Sequence, residues 1–195
     1  MEAKKGRREM KKFELTTEFI TNMFGKKLFR IKALVEFGNV KAGELGGYVE
    51  KEENVSQDGN AWVSGNAEVS GNARVSGNAR VSGNARVSGN AEVYGDAWVS
   101  GNAWVSSNAR VSGNARVSSD ADYALVQGFG TEFRCTTFYR GKNKKIMVNC
   151  GCFHGDLEGF RKQVKETRNG KIAKEYLMIA DLMEYHFTSE DSSDE

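Results

Sequence analysis

The chain has 195 residues, 28 Lys and Arg against 26 Asp and Glu, a net charge of +2 and no proline. That length accommodates one elongated body with caps rather than several large domains. The near balance of charge excludes a DNA mimic and gives nucleic-acid binding no basic field to work with.

The opening residues 1–12 are basic (Lys4, Lys5, Arg7, Arg8, Lys11, Lys12) and read as a tail. No apolar run reaches the length of a membrane span and no signal-peptide core follows the start, so neither a membrane nor a secretory route is expected. Three cysteines without a framework spacing fit a reducing cytoplasm.

Residues 13–48 read as an N-terminal β cap. Phe13-Glu-Leu-Thr and Leu28-Phe-Arg-Ile flank Gly25, the pattern of a hairpin. Leu45-Gly-Gly-Tyr-Val49 then feeds the repeats, and Val55-Ser56 reads as an imperfect first repeat. The cap's job is to cover an open sheet edge that would otherwise invite aggregation.

From Ala61 to Asp122 the sequence repeats Ala-x-Val-Ser-Gly-Asn with a strict period of six. A period of six is neither helical nor plainly alternating; it fits a short straight segment followed by a corner. Val and the Ala two before it share a face, as alternate strand residues must. Gly and Asn tolerate positive φ and supply the corner. The motif Val-Ser-Gly-Asn-Ala-x resembles the hexapeptide repeat of left-handed parallel β-helices. That resemblance implies three repeats per triangular coil of about eighteen residues, with coils stacked at strand spacing. The expected fold is therefore mainly β: a left-handed parallel β-helix over residues 49–124, capped at both ends.

Sorted by an eighteen-residue coil, the outward residues form three ladders. They are Trp62, Arg80, Trp98, Arg116; Glu68, Arg86, Trp104, Asp122; and Arg74, Glu92, Arg110. They read either as solvent-face ladders that hold coil register or as faces buried between protomers. In the second reading Trp62, Trp98 and Trp104 anchor an oligomer, and the family resemblance implies a trimer. The string from Phe37 to Asn54 is also similar to openings of bacteriophage and prophage repeat proteins, which implies a phage or prophage source and a bacterial cytoplasm.

Residues 125–188 read as a hairpin plus two helices. Phe133–Tyr139 and Lys145–Cys150 flank a Gly-Lys-Asn-Lys turn. Asp156 is a candidate N-cap, with Leu157, Phe160 and Val164 on the apolar side of the first helix. Asn169-Gly170 ends it, and Ile172, Tyr176, Ile179, Ala180, Met183 and Phe187 mark one face of the second. Residues 189–195 form an acidic tail with Glu190, Asp191, Asp194 and Glu195.

Two constellations carry chemistry. Cys150, Cys152 and His154 alternate along what reads as one extended segment, opposite Cys135. Three Cys and one His match the ligand count of structural zinc, but the spacing is not that of a knuckle, and buried unliganded cysteines are the expectation. No metal or other cofactor is expected. The second constellation is the basic hairpin, where Arg134, Thr136, Thr137, Tyr139 and Arg140 offer guanidinium forks and hydroxyls to a phosphorylated small molecule. The two histidines, His154 and His186, lie outside the repeats, which counts against a hexapeptide acyltransferase. The expected function is a non-enzymatic binding protein on a rigid scaffold, sequestering a nucleotide signal of host defence. The alternatives are a structural or interaction module and, last, the acyltransferase.

Overall fold

The computed structural model describes residues 11–188, and the basic and acidic tails fall largely or wholly outside them. Strands β1 (Phe13–Thr21) and β2 (Lys27–Ala33) form the antiparallel hairpin, turning at Gly25. Strand β3 (Leu45–Val49) follows. Ten two-residue strands come next, at the outward residue and Val of each repeat. They are β4 (Trp62–Val63), β5 (Glu68–Val69), β6 (Arg74–Val75), β7 (Arg80–Val81), β8 (Arg86–Val87), β9 (Glu92–Val93), β10 (Trp98–Val99), β11 (Trp104–Val105), β12 (Arg110–Val111) and β13 (Arg116–Val117).

These short strands stack in parallel into a β-solenoid. One face is β4, β7, β10 and β13; the second is β3, β5, β8 and β11, extended by β1 and β2; the third is β6, β9 and β12. Every repeat Val and Ala from Ala61 to Val117 is buried. Burying one Val is worth roughly 1.5–3 kcal/mol, which one coil's chain entropy consumes, so stability comes from stacking neighbours. Corner glycines such as Gly83 sit at φ +68, and a Cβ there would meet the carbonyl of Gly101 one coil on at 3.2 Å. Beside them the corner amides form three ladders, each Nδ2 donating to the Oδ1 eighteen positions later, as from Asn66 to Asn84 to Asn102. Gly46 and Gly47 let β3 lie against the first coil, since a Cβ at Gly46 would stand 2.6 Å from Val63 O.

The C-terminal module is larger than a hairpin. Strands β14 (Tyr123–Phe129), β15 (Arg134–Arg140), β16 (Ile146–Cys150) and β17 (Phe153–Asp156) form an antiparallel sheet in that order. Helices α1 (Leu157–Thr167) and α2 (Gly170–Thr188) cover one face, with Asp156 capping α1 through a bond from Gly159 N. Phe138, Val148, Phe160 and Ile179 share the core on the helix side, whereas Tyr139 belongs to the solenoid core. The sheet is thus a middle layer between the last coil and the helices. Among the described residues no helix is long and apolar enough to cross a membrane.

Candidate functional site

The solenoid's last coil has no following coil to bond with. In a parallel ladder each outward residue turns both its N–H and its C=O toward the next coil. At Arg110 two side chains of the C-terminal sheet stand in. Arg110 N donates to Thr137 Oγ1 at 3.0 Å, and Asn149 Nδ2 donates to Arg110 O at 2.8 Å. At Trp104 the pair is Asp120, whose Oδ1 accepts from Trp104 N at 2.6 Å, and Tyr123, whose hydroxyl donates to Trp104 O at 2.5 Å.

Behind Arg110 lies a buried polar cluster. Asn149 Nδ2 also donates to Ser112 Oγ at 3.1 Å, Ser112 Oγ lies 3.2 Å from the Tyr139 hydroxyl, and Asn149 Oδ1 lies 2.7 Å from His154 Nδ1. Burial is the main cause that pushes the Tyr139 phenol above its ordinary value. Because both contacts of Asn149 Nδ2 fix its amide as the donor there, Oδ1 must accept, and the His154 proton is assigned to Nδ1. Nδ1 therefore cannot serve as a base for Ser112, although it stands 3.3 Å from Oγ. Ser112 is also 2% exposed. The cluster satisfies buried polar groups and does not present a nucleophile.

The five residues expected to hold a phosphate are not brought together. β15 is an interior strand, paired on both sides and covered on both faces, so its hydroxyls are spent on packing. Thr136 donates to Cys150 Sγ at 3.1 Å, Thr137 caps Arg110, and Tyr139 is buried against Ser112. Arg140 pairs with Asp122 at 3.2 Å and lies 5.5 Å from the Phe187 ring centroid. Hydrogen bonds from Ser118 and Ser119 outweigh burial and hold the Asp122 carboxyl below its ordinary value. Only Arg134 reaches open space, 3.9 Å from the exposed Glu132.

That space is a groove of about 580 Å³ at the seam between solenoid and sheet. Arg110, Arg134, Phe133, Gln127, Glu92 and Asn149 line it, and Arg134 also lines a pocket on the helix side of the sheet with Phe160 and Tyr176. Phe133 is 66% exposed and holds φ 48, a left-handed conformation that costs a side-chain-bearing residue about 1 kcal/mol or more. Arg110 pairs with Glu92 at 3.3 Å, both partly exposed, a pair worth little in water. Gln127 and Phe133 carry no motif, and the sequence signal for Arg110 was hidden in the repeat.

The cysteines do not form a metal site. Gly151 at φ +60 makes Cys150-Gly-Cys-Phe153 a tight turn, with Cys150 paired to Phe153, so Cys150, Cys152 and His154 do not alternate on one strand. Among the described residues no three Cys, His, Asp or Glu side chains are placed to hold an ion. Burial is the largest influence on the Cys135 thiol and pushes its pKa up.

The tryptophans also separate. Trp62 is 3% exposed, enclosed by Phe13 and Phe37 of its own cap, so it is not available to another protomer. Trp104 is half-buried beneath Phe24 of the hairpin tip. Trp98 keeps an open ring, 45% exposed.

These features define a β-solenoid repeat protein with a C-terminal two-helix module. Within the solenoid, residues 67–81, 79–93 and 109–121 match the family model described as YdcK beta solenoid repeat. The match covers repeats alone; it reaches the solenoid wall of the seam groove at Glu92 and Arg110 but neither the cap nor the C-terminal sheet. No curated protein matches the sequence.

Proposed function

We propose that the protein is a non-enzymatic binding protein whose seam groove takes a phosphorylated small molecule, on a solenoid of the left-handed hexapeptide type. The uninterrupted period and the uniform positive-φ corners support that type of coil. The observation that carries the function is the approach of Arg110 and Arg134 to one groove beside an exposed, strained Phe133. Two guanidinium groups offer forks to phosphate oxygens, and the phenyl ring offers a stacking surface for a base. Glu92 holds Arg110 in place without neutralising a buried charge, so a dianionic ligand competes for it successfully. The similarity of Phe37–Asn54 to phage and prophage repeat proteins favours a nucleotide of host defence as the ligand.

Calorimetry of the full chain against a panel of cyclic and linear nucleotides tests the reading. Losing one charged hydrogen bond costs about 1.5–3 kcal/mol, so Arg134→Ala should weaken binding about tenfold to a hundredfold. No heat with any member, or equal heat from both proteins, removes the groove as a nucleotide site.

A further inference from the structure

In a strict repeat, a departure that the frame does not require points to some other role. One short stretch, Tyr94–Trp98, departs three times. Tyr94 replaces the usual Ser, Asp96 replaces the usual Asn, and Trp98 stands outward where Arg or Glu is common. Asp96 and Trp98 border the first face of the solenoid, away from the seam, whereas Tyr94 follows β9 on the third face and neighbours Tyr139.

The Trp98 ring is fixed in place. Its Nε1–H donates to Ser82 Oγ at 3.0 Å, and the Arg116 guanidinium lies 5.7 Å from its centroid. Arg116 is itself held by Asp96 O at 3.0 Å and Ala115 O at 2.7 Å. An exposed indole pinned on two sides is a flat apolar platform that loses little freedom when something lies on it.

Beside the platform runs an open groove of about 460 Å³, within the roughly 300–1,000 Å³ of small-molecule sites. One wall is a corner ladder: Asn60 Nδ2 donates to Asn78 Oδ1 at 3.0 Å, and Asn78 Nδ2 donates to Asp96 Oδ1 at 2.9 Å. Each amide nitrogen has a second N–H, and a carboxylate has a second oxygen. The wall therefore offers two donors and then an anionic acceptor, stepped at coil spacing, about 4.8 Å. Arg80 adds further donors from the strand between them.

We propose that this groove binds a neutral oligosaccharide, with a pyranose ring stacked on Trp98 and its hydroxyls on Asn78, Asp96 and Arg80. A pyranose has an apolar C–H face suited to an aromatic plane and hydroxyls that both donate and accept. Asp96 beside the Asn78 amide suits a vicinal diol, since the carboxylate accepts and the amide donates. The groove is long and open along the coil stack, which suits a chain of sugars better than an enclosed single ring. It lies on the solenoid face and shares no residue with the seam groove, so the two sites succeed or fail independently.

The test is saturation-transfer NMR on the full chain with cellohexaose, maltohexaose, chitohexaose and xylohexaose, followed by titration of Trp fluorescence. At least one sugar should receive saturation at its ring protons. Trp98→Ala should weaken binding at least about tenfold, and Asp96→Asn about threefold to tenfold, the loss of one charged acceptor. Asp96→Asn restores the repeat's own corner residue, so the ladder and the fold are kept. Arg134→Ala should leave the sugar affinity unchanged. No transfer to any of the four, or equal affinity in wild type and both groove variants, overturns the proposal. So does light scattering in which the wild type associates at micromolar concentration and Trp98→Ala does not, because Trp98 would then face a second copy.

Discussion

Lys12→Met tests how the open N-terminal coil is closed. Within the stack, the carbonyls of Gly77 and Ala79 accept from Asn60 N and Trp62 N of the coil before. The equivalent carbonyls of the first coil, Gly59 O and Ala61 O, have no earlier coil. The Lys12 ammonium covers them instead, at 3.4 and 2.9 Å, and lies 4.8 Å from the Phe37 ring centroid. Lys12 is 4% exposed, and burial pulls its pKa from the ordinary 10.5 to about 8, with Asp58 opposing part of the fall. Between about 8 and 10.5 the unfolded chain holds the proton and the folded chain does not. Stability therefore rises with pH through that window. At about 1.4 kcal/mol per pH unit of separation, the gain is worth up to about 3 kcal/mol. Near pH 7 the methionine variant loses the ammonium's bonds but also the cost of burying its charge, so the two proteins should differ by no more than about 1–2 kcal/mol. Near pH 10 the wild type should lead by about 2–3 kcal/mol, because a neutral amine still donates. Urea unfolding of both proteins at the two pH values measures this, and comparing them cancels the other titrating groups. Identical pH dependence in wild type and variant would refute the reasoning.

Val87→Asp places a carboxylate in a stack where the native side chain has no exposure. A cost above about 4 kcal/mol should leave no soluble folded protein; an unchanged melting temperature contradicts the packing argument. Arg134→Ala, exposed and paired only loosely, should move the melting temperature by no more than about 1–2 °C. A larger drop in a thermal scan would show that Arg134 holds the seam together.

The repeats were legible because one constraint governs every position. Val and Ala recur at six, the corner glycines must take positive φ, and the outward residue is free. The helices of the C-terminal module were legible from their periodicity, down to the Asp156 cap. Strand β14 was missed because Tyr123–Phe129 shows no alternation of buried and exposed residues. Strand β17 was missed because Cys150–His154 alternates on paper while Gly151 turns the chain between the cysteines. The five residues expected to hold a phosphate are dispersed for a related reason. Alternation assigns side chains to two faces, but it cannot say that both faces of β15 are covered. Thr137 and Tyr139 carry polar atoms because the solenoid's terminal edge needs partners, a demand set by residues about thirty positions away.

That demand makes Asn149 the residue on which the joint depends. A solenoid closed by another strand would only move the unpaired edge outward by one layer and leave it open to another chain. Side chains end the ladder without presenting a new edge. Asn149 is 5% exposed and serves three partners, donating to Arg110 O and Ser112 Oγ and accepting from His154 Nδ1. Asn149→Ala leaves those groups buried without it, at about 1–3 kcal/mol for each one that water cannot reach. His154 is exposed and recovers a water partner, so the loss should be about 3 kcal/mol, a fall of about 6–12 °C in melting temperature. Hydrogen exchange gives the more specific readout. The Arg110 amide, held by Thr137 at the same joint, should exchange faster, while amides in mid-stack such as Arg86, which donates to Ala103 O at 2.9 Å, should keep their protection. Uniform loss of protection along the stack would mean that the solenoid and its cap unfold as one unit, and unchanged exchange at Arg110 would mean that Asn149 does not hold the joint.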